Sequence, residues 1–265
     1  MTLLYGLDLG TSTIKAAAYD PEVGRTVALC ARPTPVEHLA NGWSEHDPEA
    51  LWQAAAGCLR ALRQQVPDRA VAGLAIASFA EAGIALDQHL RPLYPIIAWY
   101  DRRTEAQVKW WEAQIDPVAL HAITGQQLSP TFGANKWLWI REHVPAAATR
   151  LGAWLSVPDY VLWRLTGELA TDYSLASRTM LFDQAACGWS PPLLAAVGLT
   201  PDQLPRLAPA GTVAGAVTAS AAAETGLPPG TPCALGGHDH LCAAFAAGAY
   251  KPGSVVDSAG TAEAV

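Results

Sequence analysis

Residues 5–13 read Tyr-Gly-Leu-Asp-Leu-Gly-Thr-Ser-Thr, and this stretch joins two short apolar runs at residues 3–8 and 14–19. A third apolar run occupies residues 26–31. Short apolar runs that are separated by glycine, serine and threonine turns are typical of strands in hairpins. The stretch therefore predicts three antiparallel strands at the start of the fold.

A helix is predicted at residues 48–65, directly after these strands. Asp47 is a favourable N-cap residue, and Pro48 suits the first helical position. Further strands are predicted at residues 71–78, 83–87, 95–100, 213–218 and 231–235, and further helices at residues 104–115, 135–143 and 159–166. Three hairpin strands followed by helix, strand and helix indicate an α/β domain with a mixed sheet flanked by helices.

The composition is that of a globular protein, with 265 residues of which 51% are hydrophobic and 15% charged. The formal net charge of −7 and the lack of a Lys/Arg run argue against a nucleic-acid-binding surface. No secretory leader is recognisable, and no apolar run approaches the roughly 20 residues that span a bilayer. The five cysteines have no paired spacing, which predicts buried free thiols. We therefore expect a cytoplasmic protein with neither a nucleic-acid nor a membrane partner.

The first turn has the composition of a phosphate-binding loop. Gly10 lets the backbone approach an anion closely. Asp8 at the strand end can hold a hydrated Mg²⁺, and Lys15 on the next strand can neutralise phosphate charge. The hydroxyl and amide donors of the turn belong to Thr11, Ser12 and Thr13. The alternative is an ordinary hairpin turn in which Asp8 is a turn former.

A second turn of this kind, Asp-Ser-Ala-Gly-Thr-Ala, occupies residues 257–262. We predict that its Gly260 and Thr261 also contact phosphate. Between the two turns lies Gly-Gly-His-Asp-His at residues 236–240. Asp239 in this segment is the candidate catalytic base, because a carboxylate can accept the proton of an alcohol during phosphoryl transfer. The alternative is that Asp239 caps a helix that begins nearby.

His238 and His240 flank the candidate base. They either contact substrate hydroxyls and orient Asp239, or form part of a pocket wall. A metal site is not favoured, because no third ligand is near the two histidines in sequence.

Five collinear segments resemble motifs of one enzyme family. They are residues 7–12, 97–104 (Ile-Ala-Trp-Tyr-Asp-Arg-Arg-Thr), 136–140 (Lys-Trp-Leu-Trp-Ile), 171–183 (Thr-Asp-Tyr-Ser-Leu-Ala-Ser-Arg-Thr-Met-Leu-Phe-Asp) and 236–239. Together they resemble the N-terminal domain of the FGGY family of carbohydrate kinases, within the actin, Hsp70 and hexokinase superfamily. The resemblance implies an actin-like (ribonuclease H-like) fold, a sugar-binding and catalytic domain at residues 1–250, and the start of a C-terminal nucleotide-binding domain at residues 251–265.

The resemblance further implies ATP and Mg²⁺, and transfer of phosphate to a hydroxyl of a pentulose, deoxyhexulose or tetritol. A carboxylate accepts hydrogen bonds from neighbouring hydroxyls, and an indole stacks on a C–H face. Ala80 stands where glycerol kinases carry Arg, which argues against glycerol itself. Asp101 alternatively pairs with Arg102 or Arg103. The candidate substrate-binding residues are Glu81, which matches a substrate position of the family, the adjacent Ala80, Trp99, Asp101 and His240.

The adenosine site of such kinases lies in the second domain, so residues 1–265 alone are expected to bind sugar weakly and to lack useful turnover. The alternative function is a non-catalytic sugar-binding or assembly module that consists of the N-terminal lobe only. A glycine-rich adenosine loop beyond Val265 would favour the enzyme. A homodimer is compatible with either function.

Overall fold

The structure is a computed structural model that describes residues 2–259 and 263–264. The strands are β1 (Thr2–Leu9), β2 (Thr13–Asp20), β3 (Arg25–Pro33), β4 (Glu37–His38), β5 (Ser44–His46), β6 (Ala70–Ser78), β7 (Gly83–Asp87), β8 (Ile96–Ile97), β9 (Leu151–Ser156), β10 (Ala170–Asp172), β11 (Phe182–Asp183), β12 (Gly188–Trp189), β13 (Arg206–Ala208), β14 (Val213–Ala216), β15 (Pro232–His238), β16 (Ser258–Ala259) and β17 (Glu263–Ala264). The helices are α1 (Pro48–Gln65), α2 (Glu105–Gln114), α3 (Pro117–Thr124), α4 (Gly133–His143), α5 (Pro145–Arg150), α6 (Val157–Thr166), α7 (Tyr173–Ser177), α8 (Pro191–Val197), α9 (Ala219–Thr225) and α10 (Asp239–Ala246).

A six-stranded mixed sheet forms the centre of the domain, in the order β14-β15-β6-β1-β2-β3. β1, β2 and β3 are antiparallel neighbours, which confirms the predicted hairpin unit. β6 runs parallel to β1, and β15 runs parallel to β6. Because the carboxyl ends of parallel strands meet at one edge, the residues that follow β1, β6 and β15 lie close together.

The packing of α1 explains why this sheet forms. The Asp47 carboxylate accepts the Ala50 N–H at 2.7 Å, and Pro48 occupies the first turn, as the sequence predicts. Alternate residues of β1, including Leu3 and Leu7, are buried under this helix in the same core. Burial of each such side chain contributes roughly 1.5–3 kcal/mol. The buried residues of α1 are Pro48, Leu51, Trp52, Ala55, Ala56, Cys58, Leu59 and Leu62.

A second apolar cluster lies among the inserted helices. Trp111 of α2, Trp137 of α4 and Trp154 of β9 are buried in it, and β9 pairs with β7 in a small antiparallel sheet. Gly83 of β7 is required there, because a Cβ would lie 2.1 Å from the Trp154 ring.

Some sequence expectations were wrong. The strand predicted at residues 95–100 is only Ile96–Ile97, and β9 was not predicted. All five cysteines are free, but Cys187 is exposed rather than buried. Within the described ranges, no helix has the length and apolar character needed to cross a membrane.

Candidate active site

Asp8 lies at the carboxyl edge of the sheet, one residue before the end of β1. Its Oδ2 lies 3.5 Å from Nζ of Lys15, on the neighbouring strand. Its Oδ1 is buried and has no hydrogen-bond partner among the described residues. Burial raises the pKa of Asp8, Lys15 lowers it, and the negative charge of Asp239 raises it further. The carboxylates of Asp8 and Asp239 therefore face the same region.

The turn after β1 is held by contacts outside the hairpin. The Gly10 carbonyl accepts the Thr34 hydroxyl at 2.6 Å, and the Trp99 indole N–H donates to Oγ1 of Thr11 at 2.9 Å. A Cβ on Gly10 would lie 2.7 Å from the Thr13 carbonyl oxygen, so the turn requires glycine. The Ser12 carbonyl accepts the Thr34 N–H at 3.1 Å. These contacts fix the geometry of the turn from two distant segments. Gly260 and Thr261, the predicted phosphate contacts of the second turn, lie outside the described residues.

Asp239 is the first residue of α10, and the N-cap is His238. No side-chain capping hydrogen bond forms at this helix start, and Asp239 Oδ1 instead accepts the adjacent His240 N–H at 2.7 Å. Asp239 is therefore not the N-cap residue that was its alternative, although its carboxylate accepts one N–H of the first helical turn. The same oxygen lies 3.3 Å from Nε2 of His238 and 4.0 Å from Nε2 of His240.

The backbone next to Asp239 is fixed by Ser174, a contact that the sequence interpretation missed. The His238 N–H donates to Oγ of Ser174 at 2.9 Å. A Cβ on Gly237 would lie 2.9 Å from that oxygen, and one on Gly236 would lie 2.1 Å from the Ile76 carbonyl oxygen. Ser174 lies in the segment at 171–183, which was quoted only for its resemblance. The segment therefore positions the strand end that carries the candidate base.

Glu81 occupies the loop between β6 and β7 with a φ of 66°, in the left-handed region that side chains disfavour. Oε1 accepts the Nε–H of Arg178 at 2.5 Å, and the Glu81 side chain is only 8% exposed. Arg178 is 29% exposed and also donates to Gln126 at 3.1 Å. Both charges act on the pKa of His238, which burial lowers, so the pair lies near the candidate base. Arg178 is a site residue that the sequence interpretation did not name. Ala80, beside Glu81, is buried.

Asp101 is paired with Arg103, which was the alternative to substrate contact. Oδ2 accepts an Arg103 N–H at 2.7 Å and the Ser44 N–H at 2.7 Å, and both charged side chains are 1% exposed. Burial raises the pKa of Asp101, but these hydrogen bonds bring it below its ordinary value. In this conformation the Asp101 carboxylate does not reach an open surface.

Lys136 fixes the backbone that follows β8. It is fully buried, and its Nζ donates to the carbonyls of Trp99 at 3.2 Å and Pro130 at 2.9 Å. Burial lowers the pKa of Lys136 to about 7, although Glu81 and Asp101 raise it. Lys136 thus holds the segment that places the Trp99 indole against the first turn.

The edge of the sheet fits a hydrated divalent cation at Asp8. The buried Oδ1 of Asp8, which has no hydrogen-bond partner in the described part of the chain, is an oxygen ligand of the type that Mg²⁺ prefers. The structure thus brings together Asp8, the first turn, Glu81, Asp239 and both flanking histidines. It does not bring the Asp101 carboxylate into this group.

The order of the central sheet is that of an actin-like α/β domain, and Asp8 and Asp239 lie at its carboxyl edge. The family model described as FGGY family of carbohydrate kinases, N-terminal domain, matches residues 3–246. The chain belongs to this family.

Relatives and solved structures agree with this assignment. L-fuculokinase of Escherichia coli (strain K12) is 33% identical over 254 residues, which cover 95% of this chain and 54% of that protein. Xylulose kinase of Klebsiella pneumoniae is 35% identical over 256 residues, which cover 97% and 52%. The crystal structure of xylulose kinase from Rhodospirillum rubrum superposes with a TM-score of 0.90 at 32% identity, covering 95% of this chain and 52% of that one. The chain spans about half the length of the curated relatives it matches.

Proposed function

We propose that the protein containing this domain transfers the terminal phosphoryl group of ATP to a hydroxyl group of a sugar or polyol. The position of Asp239 carries the proposal. Its carboxylate lies at the carboxyl edge of the sheet with the Asp8 carboxylate, and Asp239 is not the N-cap of α10. Among the residues that the structure describes, no Arg or Lys forms an ion pair with it. A partly exposed carboxylate in this position can accept a hydroxyl proton.

The other residues position the reactants. Gly10 to Thr13 form the turn that would hold phosphate oxygens through backbone N–H groups, with Lys15 supplying positive charge. Bound at Asp8 through water, Mg²⁺ would neutralise phosphate charge. Most of the rate enhancement in such a site comes from positioning and electrostatics, and the base adds to it.

The proposed acceptor is a pentulose, a deoxyhexulose or a tetritol. The relatives named fuculokinase and xylulose kinase favour the first two classes. Glycerol is not favoured, because Ala80 stands where glycerol kinases carry an Arg side chain. Glu81, held by Arg178, and His240 are proposed to bind substrate hydroxyls, while the Trp99 ring is proposed to contact a C–H face. The contact of Asp101 with Arg103 supports an indirect role for Asp101, through the shape of the pocket wall.

We propose that residues 1–250 form the sugar-binding and catalytic domain and that residues 251–265 begin a nucleotide-binding domain. Transfer from ATP needs groups that hold the adenosine, and closure of two lobes to exclude water. Residues 1–265 are therefore expected to bind sugar without sustained ATP turnover. A coupled assay for sugar-dependent ADP release by purified residues 1–265 tests this expectation. Steady release would place the nucleotide site within the chain.

The test of the base is Asp239→Asn in a protein that carries both domains. The amide keeps the size of the side chain but cannot accept the proton, so kcat should fall by ~10²–10⁴-fold while sugar binding changes little. Asp202→Asn, at an exposed position, is the matched control. If Asp239→Asn keeps more than about half of the kcat, Asp239 is not the base.

A further inference from the structure

We propose that His238, Asp239 and His240 form a site for a transition-metal dication of the zinc class, separate from the magnesium position at Asp8. One ligand atom from each residue lies within 4.8 Å of the other two. The third ligand that the sequence seemed to lack is Asp239 itself, because the turn from β15 into α10 directs all three side chains to one side.

The distances between these atoms are close to those of a metal site. The Asp239 Oδ1 lies 3.3 Å from Nε2 of His238 and 4.0 Å from Nε2 of His240. Zinc–nitrogen and zinc–oxygen bonds of about 2.0–2.1 Å in tetrahedral geometry separate ligand atoms by about 3.4 Å. Small side-chain rotations that move the ligand atoms by a few tenths of an ångström would therefore complete the site. Both imidazole rings are partly exposed, His238 at 17% and His240 at 25%. The fourth position stays open to water or a substrate hydroxyl.

The donor set selects the class of metal. Two imidazole nitrogens and one carboxylate oxygen suit Zn²⁺, Co²⁺, Ni²⁺ or Cu²⁺, whereas Mg²⁺ prefers six oxygen ligands. Each histidine binds the metal as a neutral imidazole. The positive end of α10 opposes a cation, but the charges of Asp239 and the nearby Asp8 offset it.

Occupation of this site has a consequence that depends on the proposed kinase function. A metal bound to Asp239 withdraws charge from the carboxylate and makes it a weaker base for the hydroxyl proton. Zinc is therefore expected to inhibit phosphoryl transfer in the presence of excess Mg²⁺, without displacing Mg²⁺ from Asp8.

Metal binding is measured on purified residues 1–265 without any activity assay. The exposed thiol of Cys187 is first removed as Cys187→Ser, because it can also bind zinc. We expect one Zn²⁺ per chain in competition with a chromogenic chelator, and a visible d–d spectrum for Co²⁺ typical of nitrogen and oxygen ligands. His240→Gln should weaken Zn²⁺ affinity by at least about tenfold, and His89→Gln, at an exposed position outside the site, should leave it unchanged.

The nearby thiol of Cys242 provides a further control. This thiol lies two residues after His240 and can compete as a zinc ligand, so Cys242→Ser separates thiolate binding from binding by the proposed ligands. Three results would each overturn the proposal: no stoichiometric Zn²⁺ binding, equal losses in His240→Gln and His89→Gln, or a strong cobalt–thiolate band that disappears in Cys242→Ser. Unchanged tryptophan-monitored unfolding of His240→Gln shows that the variant is folded. Zinc binding without zinc inhibition would leave the metal site standing and count against Asp239 as the base.

Discussion

Asp159 is predicted to make the stability of this domain depend on pH. The carboxyl group is buried at the start of α6, where its Oδ2 accepts the Ser156 N–H at 3.0 Å and the Ser156 hydroxyl at 2.5 Å. Burial raises the pKa of Asp159 from 3.8 to about 7, although the hydrogen bonds from Ser156 and Thr171 lower it, and the charge of Asp172 adds to the rise. The folded protein therefore holds a proton that the unfolded chain releases near pH 4.

The size of the effect follows from this difference in pKa. A difference of about 3, at 1.36 kcal/mol for each unit, corresponds to about 4 kcal/mol in the free energy of unfolding. Because the folded pKa is the higher one, this stabilisation is complete below about pH 4 and is lost as the pH rises through about 7. Between pH 5 and pH 8 the loss should be about 2–3 kcal/mol.

Asp159→Asn removes the titration and keeps a carbonyl acceptor for Ser156. The free energy of unfolding is measured in urea at pH 5, 6, 7 and 8 through the fluorescence of the ten tryptophans. The free energy of unfolding of the variant, relative to that of the wild type, should rise by about 2–3 kcal/mol across this range. Asp87→Asn is the control. Hydrogen bonds from the Arg91 backbone and side chain lower the Asp87 pKa to about 2, so the stability that Asp87 contributes does not change between pH 5 and pH 8.

A constant difference between wild type and Asp159→Asn, within about 0.5 kcal/mol from pH 5 to pH 8, would refute the reasoning. It would mean that the carboxylate is ionised in the folded protein and that the hydrogen bonds from Ser156 outweigh the cost of burial.

Three further predictions concern the proposed site. In a protein with both domains, Ser174→Ala should lower kcat roughly tenfold with the sugar KM unchanged, because the N–H before Asp239 loses its acceptor. Ser174→Thr should restore activity, and an unaffected Ala variant would exclude this positioning role. Glu81→Gln should weaken sugar binding to residues 1–265 by roughly 1.5–3 kcal/mol in calorimetry, and an unchanged affinity would make Glu81 structural. Gly10→Ala should raise the KM for ATP, since its Cβ would lie 2.7 Å from a backbone oxygen, whereas Gly6→Ala meets nothing within 4 Å and should not. An equal KM for ATP in Gly10→Ala and Gly6→Ala would contradict the proposed phosphate-binding role of the first turn.

Much of the sheet was predictable because its signals are local. The alternation in β1 and β2 and the Asp47-Pro48 start of α1 are properties of neighbouring residues. The short strand β8 was overestimated because a turn follows it at residues 99–100. The Trp99 carbonyl is held by Lys136 and its indole by Thr11, which no period in the sequence indicates.

In the candidate site, too, the residues in local motifs were predictable and the contacts between distant segments were not. Asp8, the first turn and Asp239 were recognised from glycine-flanked carboxylates and from a resemblance to one family, and the structure places the two carboxylates at one edge of the sheet. The pairing of Glu81 with Arg178 joins residues 97 positions apart, and the contact between Ser174 and His238 joins residues 64 apart. Such contacts depend on how the chain folds back on itself, so motif spacing does not predict them.

The sequence by itself determined the hairpin of the first three strands, the capped α1 and the family motifs, because each depends on residues a few positions apart. Only the tertiary structure decided that Asp101 is paired with Arg103. Only the tertiary structure decided, likewise, that Asp159 is fully buried and that His238 and His240 converge on Asp239. The physical reason is that burial and charge are set by every segment packed around a side chain, and those segments come from distant parts of the chain.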